Sequence, residues 1–213
     1  LARVLRARPG QEFDVVAGER VRRGRVASVG ERRVEFDLGE EVPVVESPEV
    51  VLLLAIYKFD RMEWAIEKLT ELGVARMVPV QARRTDARLA ASAEKRVERW
   101  RRIARQAGQQ ARRARDPEIS PPQPLASALA TAADARIVLA ETEQRQSLPA
   151  ALRDYAGGAV ALAVGPEGGW SEEEIRQFVA AGWRTASLGA GILRAETAAI
   201  AATAVVMTLV AQE

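Results

Sequence analysis

The sequence predicts an α/β fold with a mainly parallel sheet, preceded by a small β module, and three observations carry that prediction. Residues 50–57 (VVLLLAIY) are continuously apolar, as a strand covered on both faces must be. From there onward, short apolar runs alternate with segments whose apolar residues recur at helical spacing, the order that builds βαβ units. Residues 1–46 have a different texture, short alternating runs punctuated by glycine, which reads as small strands and turns.

Within the first module the runs 12–16 (EFDVV), 25–29 (RVASV) and 33–36 (RVEF) are the expected strands, broken by Gly18, Gly30 and Gly39. The module is basic near its start, with Arg3, Arg6 and Arg8, then Arg20, Arg22, Arg23 and Arg25. Residues 42–48 hold Pro43 and Pro48 and show no helical period, so they read as a linker. The chain therefore divides into domains at 1–46 and 47–213.

After the strand at 50–57, Asp60 reads as a helix N-cap with Glu63 three residues on, and Met62, Ile66 and Leu69 mark the buried stripe. Gly73 closes that helix as a C′ residue, and 74–80 is a second strand. Val97, Trp100, Ile103, Ala104, Ala107 and Ala111 form the apolar stripe of a basic helix, which assigns Trp100 to the core rather than to a base-stacking platform. A connector rich in proline follows (Pro117, Pro121, Pro122, Pro124). Strands are then expected at 136–140, 159–164 and 185–188, with helices at 172–181 and 196–211. No internal repeat is present.

Composition narrows the chemistry. The 213 residues, 48% of them apolar, suffice for one or two packed cores. Cysteine is absent, which excludes a disulfide scaffold and agrees with a reducing cytoplasm. The longest apolar run, 198–211, is too short to span a bilayer and reads as a buried helix, so no membrane partner is expected. No signal peptide opens the chain, and Leu1 is not a start methionine, so a preceding segment is expected to be missing. Histidine is also absent, which excludes a Ser-His-Asp triad, a Cys-His pair and a His-based metal site. A catalytic base must be a carboxylate, lysine, tyrosine, backbone group or water. The chain must work by positioning, through a reactive cofactor, or not chemically at all.

The net charge of +2 conceals a segregation. Residues 83–115 carry twelve Arg and Lys against Asp86, Glu94 and Glu98, an excess of +9, and the remainder is left at −7. Either one face is built for a polyanion or this is a solvated helix in a chain that prefers Arg to Lys, 28 to 3.

Two glycine-bearing loops each follow a strand directly. The first is Gly165-Pro166-Glu167-Gly168-Gly169-Trp170, with Ser171 and Glu174 as a capping box for the next helix. Ligands of open α/β sheets bind where such loops lie, and glycine lets the backbone approach them, but a tight βα turn would look the same. The second runs Leu188-Gly189-Ala190-Gly191-Ile192-Leu193-Arg194-Ala195-Glu196-Thr197-Ala198. It is not a dinucleotide fingerprint, because too few residues follow Gly191 for a helix, a strand and an acidic residue, and no GK[ST] marks a P-loop. Its backbone groups with Ile192 and Leu193 suit a flat heterocycle such as adenine. Arg194 beside Glu196 is either a structural ion pair or a functional one.

These residues resemble a known family. The segments Gly165-Pro166-Glu167-Gly168-Gly169 and Leu188-Gly189…Ile192-Leu193-Arg194-x-Glu196-Thr197-Ala198 are similar to the cofactor loops of the RsmE-type uridine-N3 methyltransferases of the SPOUT class. Lys58…Met62-Glu63…Lys68…Glu71-Leu72-Gly73-Val74, with Pro79 and Arg84, matches the segment that opens the family's catalytic domain. Trp100…Ile103-Ala104…Gln110…Arg113…Pro117-Glu118-Ile119 matches a third segment, and Arg3-Val4-Leu5-Arg6 with Gly10 the end of an N-terminal motif. Four co-linear motifs span nearly the whole chain. The segment that precedes Arg3 in the family is absent, Phe59 stands where glycine is frequent, and Arg112 replaces a glycine before Arg113.

The resemblance implies a PUA-like, N-terminally incomplete RNA-binding β-barrel domain at 1–46. It also implies a SPOUT domain at 47–213 whose C-terminal chain forms a trefoil knot; the knot rests on the resemblance alone, since knots are rare. It implies a cytoplasmic homodimer acting on small-subunit ribosomal RNA with S-adenosyl-L-methionine and no metal. Leu139, Ala140, Glu141 and Thr142, then Gly165, Pro166, Glu167, Gly168 and Gly169, then Leu188, Gly189, Ile192, Leu193, Arg194, Glu196 and Thr197 would surround the cofactor. Arg194 and Glu196 would serve catalysis, Arg194 by stabilising negative charge on the uracil and Glu196 by orienting Arg194 or the cofactor. Arg3, Arg6, Arg22, Arg23, Arg83, Arg84, Arg112 and Arg113 would contact RNA. Two other readings remain beside this one: an RNA-binding protein with an inactive pocket, and a SPOUT enzyme acting on a different RNA.

Overall fold

The computed structural model describes residues 7–17, 20–31, 33–43 and 49–210. The chain divides into two compact units, Leu1–Glu46 and Ser47–Glu213. Arg3, Arg6, Gly18, residues 44–48 of the linker and Ala211 lie outside the described residues.

The first unit contains an antiparallel sheet of β1 (Glu12–Ala17), β2 (Arg20–Val29) and β3 (Val34–Glu41), in that order. β2 starts five residues earlier than the sequence pattern predicts, because its arginines find partners on its neighbours. Arg23 lies 3.2 Å from Asp14, Arg20 lies 3.1 Å from Glu41, and Arg22 Nε donates to the Gly39 carbonyl at 2.9 Å. Gly39 does not break a strand, as its residue type suggests, but sits inside β3. A Cβ there would come 3.3 Å from the Arg23 carbonyl oxygen, so close strand approach rather than a turn accounts for it.

The second unit is a parallel sheet in the order β10-β8-β9-β4-β5-β6, with β7 also on β5. In chain order its elements are β4 (Val50–Ala55), α1 (Phe59–Leu72), β5 (Arg76–Gln81), α2 (Ala87–Ala93), α3 (Val97–Gln110), β6 (Glu118–Ile119), β7 (Gln123–Pro124), α4 (Leu125–Ala128), β8 (Ala135–Leu139), α5 (Leu148–Ala151), β9 (Val160–Val164), α6 (Glu172–Ala180), β10 (Arg184–Ala186) and α7 (Ala195–Val210). β4 and β9 are fully buried, as their unbroken apolar runs require. Alternate residues of β4 face opposite layers. Val50, Leu52 and Leu54 pack with α1, α3, α5 and α7, while Val51, Leu53 and Ala55 pack with α4, Phe178 of α6, Trp170 and Trp183. Trp100 is fully buried and meets Phe59 edge-on, confirming it as core.

Helix ends show where local signals hold. Ser171 and Glu174 close the capping box of α6, and Gly73 ends α1 in the left-handed region at φ 104°. Asp60 is not the N-cap of α1. Lys58 holds that position without a side-chain cap, and Asp60 lies in the first turn, where its charge still suits the helix dipole. Glu63 is drawn away by tertiary contact, taking both Arg99 Nε and Nη2 at 2.6 and 2.7 Å. Among the described residues no helix is long and apolar enough to cross a membrane.

Candidate functional site

Because β8, β9 and β10 run parallel, their carboxyl ends share one edge, and the loops leaving them line a cleft of about 190 Å³. Leu139, Ala140, Glu141 and Thr142 come from β8, Gly165, Pro166, Glu167, Gly168 and Gly169 from β9, and Leu188, Gly189, Ile192 and Leu193 from the segment after β10. Ile192 leaves 85% of its surface exposed, an apolar side chain presented to solvent beside a cleft.

The first loop is tight for identifiable reasons. A Cβ on Gly165 would come 3.1 Å from the Trp170 nitrogen, and Gly169 adopts φ +67° with its N–H donating to the Pro166 carbonyl at 2.8 Å. The neighbouring 82–86 loop holds it from outside. Arg84 Nη1 donates to the Gly168 carbonyl at 2.6 Å and to that of Trp170 at 3.4 Å. The Arg83 N–H donates to Glu174 Oε1 at 2.7 Å, and Thr85 Oγ1 donates to the Ile56 carbonyl at 3.1 Å. At the loop after β8, the Ala140 N–H donates to the Ala186 carbonyl at 3.0 Å, and Glu143 accepts from Thr185 Oγ1 at 2.7 Å. That hydroxyl, followed by the amides of Arg145 and Gln146, holds the Glu143 carboxyl below the ordinary carboxylate range.

Behind the cleft lies an ionic cluster. Arg61 Nη1 is 3.0 Å from Glu167 Oε1, and its Nε is 3.8 Å from Glu196 Oε1. Glu196 is 5% exposed, with Oε2 buried and, among the described residues, without a hydrogen-bond partner. The Tyr57 hydroxyl is likewise buried without a partner among the described residues, and burial, reinforced by Glu196 and Glu167, pushes its ionisation well above the ordinary phenol range, so it is neutral.

Several expected roles change. The Arg194–Glu196 pair does not form. Residues two apart at a helix start point to different sides, so Glu196 turns inward to Arg61, while Arg194 is exposed and, among the described residues, holds no side-chain partner. Arg194, Glu196 and Thr197 do not line the cleft. Arg113 is not a surface cation. Its guanidinium donates to the carbonyls of Thr70, Gly73 and Val74 at 3.1, 3.0 and 2.8 Å, completing the C-terminus of α1. Burial lowers its pKa. Arg84 is committed to the first loop. Arg22 and Arg23 are tied within the β module, whereas Arg83 and Arg112 expose their side chains. Sequence reasoning missed Arg61, although its place one turn into the helix after β4, on the same sheet edge, was a usable signal. Trp170, Ile175 and Ser187 also line the cleft. Among the described residues no cluster of three or more carboxylates suited to a metal exists.

Comparison with known proteins agrees with this geometry. The RNA methyltransferase domain family matches residues 45–207. Ribosomal RNA small subunit methyltransferase E of Mesomycoplasma hyopneumoniae is 34% identical over 71% of this chain and 66% of that protein. The Mycobacterium bovis protein of the same name is 33% identical over 94% of this chain and 79% of its own. Among solved structures, ribosomal RNA small subunit methyltransferase E from Neisseria gonorrhoeae, bound to S-adenosyl methionine, superposes with TM-score 0.82 at 31% identity, covering 98% of this chain and 87% of that one. A Legionella pneumophila methyltransferase in complex with the same cofactor gives TM-score 0.79 at 29% identity over the same shares.

Proposed function

The chain belongs to the RNA methyltransferase domain family, and on that premise we propose that it transfers the methyl group of S-adenosylmethionine to N3 of a uridine in small-subunit (16S) ribosomal RNA. The observation that carries this reading is the cleft at one sheet edge, built from three loops that offer backbone groups, glycine-tight turns and apolar side chains rather than acid–base pairs. Such a wall fits the cofactor: Leu139, Ile192 and Leu193 suit the adenine, and the main chain of 140–142, 165–169 and 188–193 suits its polar edges. When bound, S-adenosylmethionine supplies an activated methyl on a sulfonium, which leaves alignment to the protein.

Arg194 is exposed on the segment that leads from the cleft into α7, and we assign it to the uracil oxygens. The N3 proton goes to a carboxylate or water, and the guanidinium stabilises the negative charge that builds on the uracil oxygens until N3 takes the methyl and the ring is neutral again. Glu196 serves the cofactor site from behind, through Arg61, rather than by orienting Arg194. N3 lies on the Watson–Crick edge, so the target base must be unpaired or extruded. Arg83 and Arg112, together with the arginines of the first unit, Arg3, Arg6, Arg22 and Arg23, are the proposed RNA contacts.

We further read the first unit as a PUA-like barrel, the C-terminal chain as a trefoil knot and the working enzyme as a cytoplasmic homodimer. Supporting the knot, β10 lies at the sheet edge while α7 returns to pack on α1, α5, β9 and β4. Supporting the dimer, Ile200, Ala201, Val205 and Leu209 of α7 keep partial exposure on a helix with one charged residue. The deciding experiment is methyl transfer from labelled cofactor to small subunits lacking the modification, followed by nucleoside mass spectrometry. 3-Methyluridine is the expected product. Label in another nucleoside refutes the N3-uridine assignment, and cofactor binding without transfer to any RNA favours an RNA-binding protein with an inactive pocket.

A further inference from the structure

We propose that Arg61 is a positioning residue of the cofactor site, fixing the loop after β9 and the start of α7 relative to each other. This rests on the reading of the cleft as the S-adenosylmethionine site. The two segments are separated in the chain and meet at one guanidinium, Nη1 at 3.0 Å from Glu167 and Nε at 3.8 Å from Glu196. Glu167 lines the cleft itself, and Glu196 opens the helix whose preceding residues line it. A planar fork reaches two carboxylates from one side chain, which a single ammonium does less well.

Burial tells the two contacts apart. Arg61 and Glu167 keep 31% and 39% of their side-chain surfaces exposed, so their ion pair adds little to folding stability and its value lies in where it holds Glu167. Glu196 is buried, and among the described residues Arg61 is the cation within ion-pair distance of it, so that contact protects an otherwise uncompensated charge. Removing Arg61 therefore has two separable consequences: a folding penalty through Glu196 and a loosened cleft wall through Glu167.

The test is calorimetric titration of the full chain with S-adenosylmethionine and with S-adenosylhomocysteine, beside thermal unfolding, for Arg61→Gln, Arg61→Lys and the double variant Arg61→Gln/Glu196→Gln. Arg61→Gln is expected to weaken both ligands by the same factor, on the order of tenfold, as for the loss of one charge-assisted hydrogen bond. Arg61→Lys should recover part of that affinity. The double variant should recover the lost Tm, because the buried charge is gone, but not the affinity, because Glu167 remains unheld. Binding within twofold of the parent chain for Arg61→Gln, or affinity that returns together with Tm in the double variant, overturns the positioning role. So does tighter binding of the cationic ligand alone, which would make Arg61 a mere repulsive charge. A parent chain that binds neither ligand overturns the cofactor reading and this proposal with it, whereas normal parent binding beside an unaffected Arg61→Gln overturns the proposal alone.

Discussion

The carboxylate of Glu174 accepts a hydrogen bond from the backbone N–H of Arg83, 2.7 Å away and 91 positions earlier in the chain. Its other oxygen accepts from the Ser171 N–H and hydroxyl at 2.8 and 2.9 Å. One buried side chain thus caps α6 and ties the 82–86 loop to the cleft wall. Glu174→Ala would strand three donors, and its expected cost is about 2–3 kcal/mol, the sum of a lost cap and unsatisfied buried groups. Glu174→Gln keeps an acceptor and should cost about half as much. Urea unfolding of both variants checks the order, and the reverse order would refute the assignment.

Arg112 and Arg113 are neighbours with opposite fates. Arg113 closes three carbonyls around the end of α1, so Arg113→Ala should destabilise by about 2–3 kcal/mol, with the slope of RNA affinity against salt unchanged. Arg112 exposes its side chain at φ 56° and should behave conversely. Its alanine variant is expected to keep the parent stability within about 0.5 kcal/mol and to reduce the salt slope by about one. Filter binding of a small-subunit RNA fragment across a salt series separates the two.

That contrast shows what the sequence could and could not disclose. The strands β4 and β9 were legible because burial on both faces demands unbroken apolar runs, and α6 because its capping box is local. The glycine loop after β9 was legible because glycine is required where a Cβ would strike backbone, as at Gly165. Asp60 and Glu63 carried the same local signature as Ser171 and Glu174, yet Arg99 on α3 claimed Glu63, and no local rule contains that helix. Arg113 was indistinguishable from its basic neighbours until the carbonyls of α1 folded against it. The position of Arg61, early in the helix after β4 and on the sheet edge of the cleft, was readable, but its partners Glu167 and Glu196 lie on segments far along the chain, so its role was not. The four-residue helices α4 and α5 are too short to display a period.

Gly189 and Gly191 occupy one short motif but should respond differently to alanine. Gly189 adopts φ +114°, which an L side chain rarely tolerates, although nothing lies within 4 Å of a Cβ there. Gly191 has no positive φ, and among the described residues a Cβ there would also meet nothing within 4 Å. Gly189→Ala is expected to cost at least about 1 kcal/mol or to shift the loop, lowering cofactor affinity, whereas Gly191→Ala should leave Tm within about 1 °C. Thermal unfolding with and without S-adenosylmethionine reads both effects. Equal behaviour of the two variants would mean that backbone conformation at Gly189 does not shape the site.

Glu143 predicts an acid sensitivity near the loop that leaves β8. The Thr185 hydroxyl and the amides of Arg145 and Gln146 favour its ionised form, so its folded-state pKa lies below the unfolded value. Its contribution to stability is therefore fully present above the unfolded carboxylate range, about pH 4.3, and is lost as pH falls through the lower folded value. Glu143→Gln removes that titration. The variant should be less stable than the parent at pH 7, and the gap should narrow on acidification toward pH 3, where the parent carboxyl becomes protonated as well. Because the Glu143 bond joins β10 to the chain that follows Thr142, the variant should also bind S-adenosylmethionine more weakly at neutral pH. Unfolding curves collected from pH 7 to pH 3 provide the check: a gap that stays constant with pH would show that the Thr185 contact does not depend on the charge of Glu143.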